Sequence, residues 1–411
     1  MKSPFSLKIM AALLFIVVAC APRKSNKDIK VIALEREVGR GSVEKLSDYV
    51  KDIRYVVLET NDSSILGNIV SVFYEKKLIY VQDNNNLCKI FDESGRYLRT
   101  FKRIGRGPQE YLDIRGFDVN EENGDICILS YDGQIKEYDC NGNFIKNIPR
   151  PMQLKKGTYW DCKKIDGKNY IVSTFTMSEV SETKYFVCDV SSNILKEVTH
   201  VTKTKAADAR NNMMNIDPDR FYRYGDDIRI VSKNDTIFSI DKNLQITDKY
   251  IMDFGKYRQS PDMSAEDWIS TDKMFISKLP MYCETDDYLF LAFNFRGFAT
   301  EPVEKVMKLP DGSESVRKWP YVYGIFNKKS GKLSLLNQPY KGELGLLNDI
   351  NNGFVFWPRF RSSKGEMITC YNALNFIENA ASGKYDSPVI KEIAAKLREN
   401  DNPVVAITTP F

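Results

Sequence analysis

Between residues 78 and 98 apolar and polar positions alternate in short runs, LIYVQD and CKIF, interrupted by NNN and by DESG. Alternation with a period of two marks half-buried strands, and turn residues between such runs close antiparallel hairpins. The pattern then returns. Residues 125–145 follow 78–98 at one fixed displacement: Ile79 falls on Ile126, Val81 on Ile128, Phe91 on Tyr138, Asp92 on Asp139 and Gly95 on Gly142. Weaker copies cover residues 185–195, 228–244, 321–336 and 353–372. A repeat of roughly 40–50 residues holding four short strands predicts a β-propeller blade. Insertions near residues 255–279 and 294–319 blur the period, so spacing alone allows six to eight blades.

Stacked blades bury both faces only if the ring closes. Two segments have the pattern of a closing strand, residues 53–59 (IRYVVLE) and 402–408 (NPVVAIT). Before the second, residues 388–399 predict a short amphipathic helix. Ser387 is its cap, Pro388 opens its first turn, and Ile390, Ile393, Ala394 and Leu397 form the buried stripe.

The first nineteen residues stand apart. Lys2 and Lys8 precede an apolar run over residues 10–19 that is too short to span a bilayer, as in a secretory signal. The run ends in Val17-Val18-Ala19-Cys20, which resembles a bacterial lipobox. That resemblance implies lipidation of Cys20 after cleavage, with more than one acyl chain to hold the protein on a membrane. Residues 21–30 (APRKSNKDIK) are polar and without hydrophobic period, as in a flexible tether. The expected organisation is a signal peptide over 1–19, a lipidated cysteine and tether over 20–30, and one propeller domain over 31–411.

The fold expectation sharpens on particular motifs. The YVVLET strand, the IFDESGRYLRTF turn followed by GRGPQEYLDI, NDTIFSID with FGK downstream, and the DNPVVAI ending together resemble the six-bladed β-propeller lipoproteins of Bacteroidetes, related in shape to NHL and TolB-type propellers. The resemblance covers nearly all of the chain after the leader. It implies an all-β fold: six four-stranded antiparallel blades, a short C-terminal helix and a closing strand. The implied address is the cell envelope, on the outer membrane, with the leaflet left open.

Composition adds exclusions. The net charge of +4 falls to +2 without Lys2 and Lys8, and no basic run suggests nucleic acid. His200 is the single histidine, so multi-histidine metal sites cannot be built, and it reads as an exposed loop residue. Neither a metal nor a cofactor is expected. DESG and DCNG resemble fragments of calcium loops but lack the further ligands, and they read as strand-to-strand turns. Of eight cysteines, Cys20 is committed to lipid. The other seven read mostly as small buried hydrophobes, with Cys127 and Cys140 the best-placed pair for a bridge although their register suits one poorly.

Two clusters carry candidate chemistry. In RIGRGPQEY, Pro108 removes an amide that a phosphate loop would need, and the following residues alternate like a strand, so the loop is not a nucleotide cradle. It reads as the crossover from an outer strand (96–103) to the inner strand of the next blade (112–119). Gly105 and Gly107 supply backbone freedom, Pro108 rigidity, and Glu110 and Tyr111 pins. The functional alternative places Arg106, Gln109, Glu110 and Arg115 around a pocket at the channel mouth. In the second cluster Trp357 stands beside Arg359 and Arg361, a combination that stacks on a sugar or clasps a carboxylate. These features point to a lipid-anchored binding or scaffold module for a glycan, peptide or envelope protein. The alternative is a carbohydrate-active hydrolase or lyase with paired carboxylates in the funnel.

Overall fold

The structure, a computed structural model, describes residues 29–152, 158–175, 183–199, 218–232, 235–260, 274–308 and 312–411. The expected signal and lipidated Cys20, nearly all of the expected tether, and His200 lie outside those residues. No helix among the described residues is long and apolar enough to cross a membrane.

Two strands, β1 (Lys30–Ala33) and β2 (Asp52–Val57), precede the repeats. The first sheet is β3 (Ile69–Glu75), β4 (Leu78–Asp83), β5 (Cys88–Asp92) and β6 (Tyr97–Phe101). The second is β7 (Gly116–Val119), β8 (Ile126–Leu129), β9 (Ile135–Tyr138) and β10 (Phe144–Ile148). The third is β11 (Thr158–Lys164), β12 (Asn169–Phe175), β13 (Thr183–Asp189) and β14 (Ile194–Thr199). The fourth is β15 (Arg220–Tyr224), β16 (Asp227–Val231), β17 (Thr236–Ile240) and β18 (Ile246–Asp253), with β1 added parallel to β18.

The fifth sheet holds β19 (Ser277–Glu284) and β20 (Tyr288–Asn294). The hairpin β21 (Val303–Lys308) and β22 (Glu314–Trp319) interrupts it before β23 (Tyr321–Asn327) and β24 (Leu333–Leu335) complete it. In the sixth sheet β25 (Phe360–Arg361) pairs with β26 (Met367–Tyr371). Helices α1 (Ala373–Ala381) and α2 (Pro388–Ala394) follow, and β27 (Val404–Thr409) then inserts between β26 and β2. Seven sheets are thus present where six were expected, the extra one being the two-stranded hairpin.

The two closing candidates are partners rather than competitors. β2 pairs antiparallel with β27 over its whole length, so both termini complete one sheet. The helix at residues 388–399 is real but shorter, and Ser387 caps it by accepting from the Ile390 amide.

Apolar seams link each sheet to the next. Tyr80 and Ile90 meet Phe117 and Ile128; Leu129 and Ile135 meet Val172 and Phe186; Ile171 and Val187 meet Ile228 and Ile240. Tyr250 and Met252 meet Leu289 and Phe326, and Phe290 and Ile325 meet Met367 and Ala406. Finally Val405 and Ile407 return to Val81 and Phe91 of the first sheet. The series is closed, a propeller-like ring. First strands touch their neighbours (β3 with β7, β7 with β11, β11 with β15, β19 with β25, β25 with β3) and therefore surround the axis.

The DESG and DCNG segments prove to be third-to-fourth-strand turns of one design. Asp92, Asp139, Asp189 and Asp241 each accept from the amides two and four residues on, at 2.8–3.1 Å. Such Asx turns fix the hairpin from the side chain of one residue. Gly95, in the first of them, has φ +91, and a Cβ there would lie 2.1 Å from the Val57 carbonyl. Glycine is what lets β2 close on the first sheet. All seven cysteines among the described residues are free, so the Cys127–Cys140 bridge is not formed; five of the seven are buried, as small hydrophobes would be.

Candidate functional site: one end of the ring axis

The RIGRGPQEY loop joins β6 to β7 as expected, but the inner strand is shorter, beginning at Gly116 rather than Leu112. The loop is tied at every turn. The Gly105 amide donates to the Tyr111 carbonyl and the Tyr111 amide to that of Arg103, at 3.0 and 2.9 Å. The Gly107 amide donates to Glu110 Oε2 at 2.8 Å. The Lys136 ammonium and the Tyr138 hydroxyl donate to the carbonyls of Pro108 and Gln109. Tyr111 is buried, stacks on Phe101 and donates to the Asn86 carbonyl.

Neither Gly105 nor Gly107 has positive φ. A Cβ on Gly105 would come 1.9 Å from Glu110 Oε2, so that glycine makes room for a carboxylate rather than providing an unusual backbone angle. Arg106 and Gln109 are exposed, and Arg115 is paired with Asp113 at 2.8 Å beneath Tyr131. These residues share one end of the ring with the β4–β5 and β8–β9 turns, since Asn86 and Ser130 hold Tyr111, Leu112 and Ile114.

The second predicted cluster is split. Trp357 is buried in the seam between the fifth and sixth sheets, stacked on Tyr323 at 4.2 Å and edge-on to Phe290. It offers no platform for a sugar. Arg359 is exposed over Phe360. Arg361 ends β25 and lies at the opposite end of the axis from the glycine loop, where first strands turn into second strands.

That end gathers polar side chains from every sheet of the ring. The sixth sheet reaches the first: the Ser363 amide donates to Glu75 Oε1 at 2.7 Å, and its hydroxyl donates to Oε2. The third reaches the second through Lys163 and Asp118 at 3.4 Å. Arg223 of the fourth sheet donates to the Lys164 carbonyl of the third and reaches beyond it to Asp118 at 3.5 Å and Glu121 at 3.9 Å in the second. The Tyr224 hydroxyl donates to Asp286 of the fifth at 3.0 Å. Three cations surround the Tyr224 ring: Lys328 Nζ at 4.1 Å, Arg229 at 5.0 Å and Arg361 at 5.4 Å from its centroid. Contacts between non-adjacent sheets show that these groups meet over the axis itself.

Burial sets the protonation of this mouth. Desolvation pushes the Glu75 carboxyl up to about 7 despite its bonds from Ser363. Glu121 is raised for the same reason, with Arg223 and Arg361 opposing. Burial would also raise Glu284, but Arg229 and Lys328 hold it below the ordinary carboxylate range. No cluster able to hold a metal ion occurs among the described residues.

Of these residues the sequence motifs mark Arg361 but not Glu75, Glu121, Arg223, Tyr224, Glu284 or Lys328. A signal existed: acidic residues recur at or just after the ends of first strands, in YEKK, NEENGD, RYGDD and CETDD.

Residues 29–409 match the family described as Domain of unknown function (DUF4934), and the chain belongs to that family. Among solved structures it is similar to a Bacteroides fragilis NCTC 9343 protein described as exported, with TM-score 0.65 and 15% identity over 93% of this chain and 99% of that one. A DUF4221 member from Bacteroides vulgatus ATCC 8482 matches with TM-score 0.47 and 11% identity, over 87% of this chain and 96% of that one. No curated protein matches the chain.

Proposed function

We propose that the protein is an exported, lipid-anchored six-bladed propeller of the cell envelope that binds a glycan, peptide or envelope protein without transforming it. The six larger sheets are the blades, and β21–β22 is an excursion from the fifth. Cys20 is the anchor, residues 20–30 the tether and 31–411 one domain. The leader sequence and the exported Bacteroides structural neighbour support this address.

One observation carries the binding reading: polar side chains from all six larger sheets converge on one end of the axis, around Tyr224 and Arg361. Functional sites are concave places where a few polar groups converge. The glycine loop, by contrast, spends its backbone polar atoms and Glu110 on holding its own fold and docking to neighbouring strands. A thermal-shift screen of the full chain against neutral glycans, acidic glycans and peptides tests this, because a ligand of the folded state raises the melting temperature as its concentration exceeds Kd. Stabilisation by one class supports the reading; no shift with any class contradicts it.

A second reading has its own observation. Glu75 and Glu121 both have raised carboxyls and lie within electrostatic reach of one another, as a general acid and its partner would. Release of reducing ends from a polysaccharide panel, abolished by Glu75→Gln, would favour this hydrolase over the binding module.

A further inference from the structure

We propose that Arg361 anchors a carboxylate subsite at this axial mouth, and that its ligand is a uronic-acid residue of an acidic glycan; the inference rests on the axial mouth being the binding face. The first observation is that the guanidinium is unspent. Lys163, Arg223, Arg229 and Lys328 are each ion-paired to a carboxylate. Arg361 contacts the Tyr224 ring but has no hydrogen-bonded or ion-paired partner among the described residues, and its Nε is enclosed without one. Arg361 acts on Glu121 through space but makes no ion pair or hydrogen bond with it, so the half-buried guanidinium is poised to gain from an anion that reaches it. Its planar fork matches the two oxygens of a carboxylate.

The surroundings narrow the class. Oxygen-bearing groups gather at this end: Glu121 interacts with Arg361, Ser363 two residues on bonds Glu75, and Asp286 bonds the Tyr224 hydroxyl whose ring Arg361 overlies. Carboxyls and hydroxyls of this kind suit sugar hydroxyls. A peptide terminus would bring a side chain and a single amide, whereas the side chains gathered here are charged or hydroxyl-bearing. A uronic acid brings one carboxylate on a ring of hydroxyls, which is the complement of one guanidinium ringed by oxygens. Lys328 and Arg229, although bound to Glu284, add positive potential around the Tyr224 ring.

Calorimetric titration of the full chain tests the proposal. The probes are oligogalacturonate, oligoglucuronate, the same oligomers with carboxyls reduced to alcohols, and short peptides with free C-termini. At least one uronate should bind, and its reduced form should bind about tenfold more weakly or worse, the scale of a lost charge-assisted hydrogen bond. Arg361→Gln should weaken the acid to a similar extent while leaving the reduced oligomer unaffected, and Arg361→Lys should retain part of the binding. The melting temperature of Arg361→Gln should be unchanged or higher, whereas a merely structural arginine would lower it. Absence of uronate binding, equal binding of acid and reduced forms, or a preference for the peptides overturns the proposal. If uronates fail while the thermal-shift screen yields another ligand at the mouth, this inference falls and the binding-module reading stands.

Discussion

Arg229 of the fourth sheet and Glu284 of the fifth face each other inside a seam, with Nε donating to Oε2 at 3.0 Å and the second guanidinium nitrogen to Oε1 at 3.3 Å. Both side chains are buried. Tyr222, Tyr250 and Lys328 donate to the same carboxylate at 3.0, 2.7 and 3.0 Å, so every lone pair facing the seam is used. This satisfied network joins two sheets directly beneath the axial mouth and holds Lys328 and Arg229 against Tyr224.

Removal of one partner should therefore cost more than the pair is worth. Glu284→Ala strands a guanidinium and an ammonium in low dielectric, and should destabilise the fold by about 3–5 kcal/mol, the range for breaking a buried pair. Chemical denaturation of variant and wild type measures it. A loss within about 0.5 kcal/mol, as at an ordinary surface site, would mean that the seam is open to water.

The glycine loop should behave as a structural hinge. Glu110→Ala leaves the Gly107 amide without its acceptor and should lower stability by about 1 kcal/mol, the net value of one hydrogen bond. Gly105→Ala should do at least as much harm, because its methyl displaces the carboxylate. Both variants should keep whatever binding the wild type has. Unchanged melting with lost binding would move the functional face to this loop.

Glu75 should tilt stability with pH. Its folded carboxyl titrates near 7, above the unfolded value of 4.5, so its favourable contribution is complete below the unfolded value and is lost as pH rises through 7. Glu75→Gln stays neutral throughout. The variant's melting temperature relative to wild type should therefore climb between pH 5 and 8. A flat or falling difference would show that the bonds from Ser363 outweigh desolvation.

Ring closure should depend on both termini. Val404, Val405, Ala406 and Ile407 are all at most 1% exposed, and β27 lies between β26 and β2. Truncation after residue 401 should remove the seam between the last and first sheets and abolish cooperative unfolding, as followed by circular dichroism. Retention of a sharp transition would show that the sheets are stable without closure.

Much of this architecture is written locally. Residues 78–98 and 125–145 carry their strand alternation and Asp turns within one window, and the structure pairs them in that register. The hinge at Gly105–Tyr111 was legible for the same reason, although the role of Gly105 was not, since the space it leaves is filled by a side chain five residues on. The axial mouth was hidden. Glu75, Glu121, Tyr224 and Arg361 lie in four separate repeats and meet only after the ring closes. Trp357 and Arg361, neighbours in sequence, were read together because nothing local says that a seam takes the first and the axis the second.

Hydrogen–deuterium exchange of the full chain, with and without the strongest hit from the thermal-shift screen, tests the central claim most directly. Protection at the first-to-second-strand turns around Glu75, Glu121, Tyr224 and Arg361–Ser363, with residues 104–115 unchanged, is the predicted result. Protection confined to residues 104–115 would contradict it and place the binding face at the other end of the ring.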